Sequence, residues 1–114
     1  MQVYRMDDGH SIILTTTRRR AQAEALAEKI LEQKLAACIQ IQKTKSFYSW
    51  HEKIERSEEY LLLIKTRTIL GSKLSEFIRQ NHDYQIPEIV QIPISDGSPE
   101  YLSWISAVTD DLSL

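Results

Sequence analysis

Cysteine is almost missing: Cys38 stands alone in a chain of 114 residues. One thiol excludes an intrachain disulfide framework and any cysteine-rich zinc module. It fits a reducing compartment. Glycine and proline occur three times each, no repeat or low-complexity segment is present, and the glycine motifs that cradle phosphates, the P-loop and GxGxxG, are absent. A nucleophile elbow and triad spacing are also lacking, so nothing points to an enzyme. The apolar run at residues 61–64 (LLLI) is far too short to span a membrane. Residues 1–9 carry Asp7 and Asp8 and no apolar core of a secretory signal. Neither sign of charge dominates: fourteen basic against sixteen acidic residues give a net charge of −2, which predicts no nucleic-acid partner. The expectation is a cytoplasmic, soluble protein.

What is present is ordinary globular composition, with 42% apolar and 26% charged residues. Residues 1–9 read as a flexible N-terminal tail and residues 10–114 as one domain. Residues 11–17 (SIILTTT) read as a strand. Residues 21–35 carry apolar side chains at three- and four-residue steps (Ala23, Leu26, Ala27, Ile30) and read as a helix with Thr17 as a candidate N-cap. The run Arg18-Arg19-Arg20 opposes the helix dipole. It is either solvated surface or a contact for an anion or partner. Two long extended segments, 36–50 and 59–66, flank a polar turn region at 51–55 and predict an antiparallel hairpin. A second helix over 69–80, a loop at 81–87, a strand at 88–95 holding Pro93 at an edge, and a helix begun by Ser98-Pro99 complete the chain.

The order β-α-β-β-α-β plus a C-terminal helix is the split βαβ, or ferredoxin-like, α+β fold. Right-handed crossovers place both main helices on one face of a four-stranded antiparallel sheet. Tyr60 to Ile64 are all apolar, so both faces of that strand want cover. One helical layer cannot supply it, and the bare face predicts burial against another subunit. The expected core is Ile13, Leu26, Ile30, Ala37, Ile39, Leu62, Ile64, Leu74, Phe77, Ile78, Ile89 and Ile92. The expected interface is Phe47, Trp50, Leu61, Leu63 and Trp104.

Chemistry-bearing residues are few. Cys38 is either a small buried apolar residue or a soft-metal or redox thiol. His82, beside Asp83 and Tyr84, marks the one cluster of imidazole and carboxylate, without the spacing of a dedicated metal cage. Lys65 and Glu88 are polar residues at strand ends, fit to cap the sheet, pair with a partner charge or hold an anion.

Five segments stand together in one order: LAACIQI (35–41), YSWHEKIE (48–55), LLIKT (62–66), HDYQIPEI (82–89) and YLSWI (101–105). In order and spacing they resemble the CutA family of divalent-cation tolerance proteins, over residues 11–108. The resemblance implies a ferredoxin-like homotrimer, a role in tolerance or response to copper and other divalent metals through metal binding, and no chemical step. It places Cys38 and His82 at candidate metal positions, and Lys65, Tyr84, Glu88 and Trp104 at a pocket near subunit boundaries. The chain departs from the family pattern at four places. Thr15 stands where some copper-binding members carry cysteine, Asn81 where they carry histidine, and Glu52 and Asp83 replace a glycine and a proline. A second reading follows from fold analogy to PII signalling trimers: a small anionic or nucleotide ligand in the inter-subunit cleft. A third is a scaffold whose hairpin docks another protein.

Overall fold

The computed structural model describes residues 9–110. The tail expected over residues 1–9 and the last four residues therefore lie, but for Gly9, outside the described part. Four strands, β1 (His10–Thr17), β2 (Cys38–Trp50), β3 (Lys53–Arg67) and β4 (Val90–Ile94), form one sheet in the order β2-β3-β1-β4. Every pairing is antiparallel. Helices α1 (Arg20–Glu32) and α2 (Gly71–Gln80) are the two crossovers, α2 entered through a 3-10 turn at Thr68–Leu70. Helix α3 (Pro99–Val108) ends the fold. This is the ferredoxin-like order read from the sequence.

The register sorts side chains between the two faces. Ile13 opposes Ile64 and Thr15 opposes Leu62. These four are fully buried and pack with Leu26, Ile30, Leu74 and Ile78, which places α1 and α2 on that face. Ile39, Phe77 and Ile89 pack at its margin. Alternation sends Ile12, Leu14, Leu61, Leu63 and Lys65 to the opposite face. Ile92 pairs with Ile12 there, while its neighbour Gln91 points inward to Ser11 Oγ. Ile92 is thus an exposed residue of the second face and not part of the core, and Ala37 is only half-buried.

Helix α3 crosses to this second face, a placement that periodicity alone does not reveal. Its Ile105 is fully buried, Ser106 meets His10, and Thr109 takes two hydrogen bonds from Arg67. Ser98 caps it by accepting from the Tyr101 amide, with Pro99 in the first turn. It covers only the His10–Arg67 end. Val90 and Ile92 stay 45% and 42% exposed, so an apolar band remains open to water.

Two local details differ from the sequence reading. Thr17 does not cap α1. Its hydroxyl donates to the Arg19 carbonyl, and Gln22 Oε1 takes the Arg19 amide instead. The hairpin turn is only two residues, His51 and Glu52, both at positive φ (50° and 63°). That is the backbone twist a two-residue hairpin demands, carried here without glycine. Because β1 pairs only with residues 60–67, the outer parts of β2 and β3 continue as a two-stranded arm.

Thr15 holds one unfavourable feature. It is fully buried, and its Oγ1 has no hydrogen-bond partner among the described residues. Thr15→Val keeps the shape and removes the orphan hydroxyl. It is expected to raise unfolding free energy by about 1 kcal/mol in urea titrations. A loss of stability would show that the hydroxyl is satisfied in solution.

Candidate functional site

The loop after α2 folds around His82, whose side chain is 1% exposed. Nε2 lies 2.6 Å from the Thr16 carbonyl, and Nδ1 lies 3.1 Å from the Tyr84 amide. A carbonyl only accepts and an amide only donates. The ring therefore carries its proton on Nε2 and uses its Nδ1 lone pair inside the protein. Asp83 leaves the loop to accept from Gln22 Nε2 at 2.8 Å on α1. That hydrogen bond does most to hold its carboxyl below its ordinary value, against an opposing effect of desolvation.

Tyr84 reaches the arm. Its hydroxyl donates to Glu59 Oε2 at 2.8 Å, its ring lies 4.7 Å from that of His82, and the Arg18 guanidinium sits 5.4 Å above its centroid. Burial pushes the phenol up to about 12, and the Glu59 hydrogen bond and charge add to that. Unfolded Tyr84 releases its proton near 10.0, whereas the folded phenol keeps it to about 12. The shift is upward, so its stabilising effect is complete below pH 10 and is lost as pH rises from 10 to 12. Denaturation midpoints compared at about pH 8 and about pH 11 are expected to show this loss in the parent and a smaller one in Tyr84→Phe.

Between arm and loop lies a cleft of about 790 Å³, walled by Tyr48, Trp50 and Ser57 from the arm and by Tyr84 to Glu88 from the loop. Four carboxylates, Glu58, Glu59, Asp83 and Glu88, share it with Arg18.

The expected site residues fall into two groups within one subunit. Tyr84 and Glu88 line the cleft. Lys65 and Trp104 lie under and along α3, joined through Tyr101, whose ring is 5.6 Å from the Lys65 ammonium and 5.6 Å from the Trp104 ring. Glu59 and Lys65 are separated by about 20 Å of strand. Cys38, half-buried, pairs with Lys65 in the β2–β3 register. His82 contacts Thr16, which pairs with Leu61. The two candidate metal positions are thus about 13 Å apart along β3. No group of three histidine, cysteine or carboxylate residues able to hold a metal exists among the described residues. Thr15 faces the helices and Cys38 the opposite face, so a donor at position 15 would not meet Cys38 in the same subunit.

Of the expected interface, Phe47 is 61% and Trp50 37% exposed, while Leu61 and Leu63 are half-buried on the open face. Two site residues escape sequence reasoning. Glu59 looks like one of many acids on the arm, although an acid directly beside an apolar run is a signal of paired burial. Arg18 belongs to the arginine run, where only the contact with Tyr84 separates it from a solvated charge.

Comparison with known proteins agrees with this architecture. A family model described as CutA1 divalent ion tolerance protein matches residues 11–108. The CutA homolog of Danio rerio is 42% identical over 103 residues, covering 89% of this chain and 69% of that protein. The divalent-cation tolerance protein CutA of Archaeoglobus fulgidus is 37% identical over 101 residues, covering 89% of this chain and 99% of that protein. The solved structure of the periplasmic divalent cation tolerance protein CutA from Archaeoglobus fulgidus superposes with a TM-score of 0.87 at 37% identity, over 89% of this chain and 99% of that one, and the crystal structure of CutA1 from Oryza sativa with 0.87 at 33% identity, over 94% and 99%. The chain spans about half the length of the mouse and Arabidopsis CutA proteins it matches, 52% and 54%. Family model, relatives and fold concur: the chain belongs to the CutA1 divalent ion tolerance family.

Proposed function

We propose that this protein acts in the response to divalent metal ions as a cytoplasmic homotrimer that binds copper or a related metal, with a binding role and no chemical step. The observation that carries this is the uncovered apolar band on the second sheet face, next to Cys38 and Lys65. A contiguous band of Leu14, Leu63, Val90 and Ile92 left partly open to water is the kind of surface that a second copy covers. Closed assembly then brings the separated half-sites of different copies toward one another.

Among the described residues, the donor set of one chain does not make a closed metal shell. Cys38 supplies one soft donor, and the remaining ligands would come from neighbouring copies. His82 is a weaker candidate, since both ring nitrogens are engaged. Its part is to hold the loop. The alternative of an anionic or nucleotide ligand loses ground, because four carboxylates against one guanidinium repel an anion from the cleft.

The test is equilibrium dialysis of the sized oligomer against copper, zinc and nickel. The parent and His82→Gln are expected to bind in proportion to subunits, and Cys38→Ser to lose the metal. Binding by none of the three proteins, or undiminished binding by Cys38→Ser, overturns the metal assignment.

A further inference from the structure

His82 is held by two bonds of opposite sense. Nε2–H donates to the Thr16 carbonyl at 2.6 Å, and the Nδ1 lone pair accepts the Tyr84 amide at 3.1 Å. Only the neutral ring can do both, because an imidazolium carries a proton on each nitrogen and accepts nothing. A second proton would set Nδ1–H against the Tyr84 N–H, two donors face to face. The side chain is 1% exposed, so water does not readily take up either of them.

Another partner for that proton stands beside the ring. Asp83 Oδ1 lies 3.8 Å from Nδ1, while Oδ2 of the same carboxylate is held by Gln22 Nε2 on α1. The gap is too long for a hydrogen bond, and a shift of about 1 Å closes it into a charge-assisted one. The ring therefore has two available arrangements, neutral on Tyr84 or charged on Asp83. Imidazole is the side chain that changes charge between about pH 5 and 8. The bond to Tyr84 belongs to the upper end of that range and is lost as pH falls.

The charged groups around the ring divide between the two arrangements. Asp83 adjoins it, and Glu59 on β3 lies behind Tyr84; both favour the imidazolium. Lys29 on α1 lines the same recess, and Arg18, directly after β1, sits over the Tyr84 ring; both oppose it. From β1 itself only the uncharged Thr16 and Thr17 meet the ring or its recess. Lys29 is exposed and screened by water, whereas Asp83 is the nearest of the four.

Tyr84 opens the 84–88 stretch that walls the cleft, and its hydroxyl ties this stretch to the arm through Glu59. We propose that protonation of His82 moves Nδ1 from the Tyr84 amide to the Asp83 carboxylate and releases this wall of the cleft from the arm. The step is an exchange of hydrogen bonds, with the proton taken from solvent. It is separate from Cys38 and does not rest on metal binding.

Nuclear magnetic resonance of the full-length, metal-free protein from about pH 8 to 5 is the test. The ring nitrogens report tautomer and charge, and amide exchange corrected for its intrinsic rate reports the Tyr84 N–H. At the upper end Nε2 is expected to carry the proton. As the ring gains its second proton, Tyr84 protection is expected to fall about tenfold, while the Ile13 and Ile64 amides in mid-sheet stay protected. That contrast separates release of the wall from unfolding. Asp83→Asn, on an exposed residue that keeps an acceptor for Gln22, is expected to move the Tyr84 transition to lower pH, by about threefold in proton concentration. His82→Gln is expected to abolish it; if that variant does not fold, Asp83→Asn carries the test. The proposal is overturned if Tyr84 protection stays constant while the ring titrates, if the ring stays neutral down to the pH of unfolding, or if Asp83→Asn leaves the transition in place.

Discussion

His82→Ala is expected to lower unfolding free energy by about 3 kcal/mol, with or without metal. The ring fills a site that is 1% exposed, so truncation leaves a cavity. It also removes the donor to the Thr16 carbonyl and the acceptor for the Tyr84 amide. Thr16 is 4% exposed, so water does not readily replace the lost bond. The effect spreads, because the ring sets the start of the loop that carries Tyr84 to Glu59. Urea denaturation of the apo protein is the measurement. An unchanged midpoint would mean that the Gln22–Asp83 and Tyr84–Glu59 bonds hold the loop unaided. The result also governs metal studies: lost binding in an alanine variant would not make His82 a ligand, since the surrounding structure moves as well.

Leu63→Asp is the second large effect. Leu63 sits mid-strand on the open face, opposite Leu14 in β1 and Gln40 in β2. In a lone subunit it is half-buried, so a carboxylate there stays near water at modest cost. In an assembly that covers the face, the charge is buried without a partner, and every copy carries one. The expected loss is about 4 kcal/mol, near a thousandfold in self-association. Sedimentation across a dilution series should find a folded, smaller species, with circular dichroism close to the parent. Unchanged oligomer mass would show that this face is not the contact between copies.

The elements most legible in the sequence are those whose side-chain pattern admits one reading. The uninterrupted apolar stretch of β3 implies two covered faces, and Leu62 and Leu63 do point to opposite sides of the sheet. Leu26, Ile30, Leu74 and Ile78 follow helical period and are buried together. Misses arise where a neighbour decides. Ile92 looks like core until the β1–β4 register turns it outward. Thr17 has the chemistry of a cap, but the chain bends for two more residues and Arg19 takes the capping position of α1. The destination of α3 depends on partners such as His10 and Arg67, distant in sequence. The candidate site was less legible for the same reason. Histidine, tyrosine and acid could be named along the loop, but Glu59 and Arg18 join them only through tertiary geometry.

The strand order also has a consequence for biosynthesis. β2 and β3 are joined by two residues, so their hairpin closes within microseconds. β1 pairs with β3 on one side and with β4, the last strand made, on the other. At ribosomal speeds β1 waits on the order of ten seconds for that second partner. Its segment SIILTTT is uncharged, β-branched and free of proline, the composition that self-associates when an edge is left open. In the native sheet β3 pairs the whole segment and β4 covers its first part, Ser11 to Leu14. The nascent chain lacks the second cover until β4 is made, and the hazard for this protein therefore lies in its making rather than in its finished state.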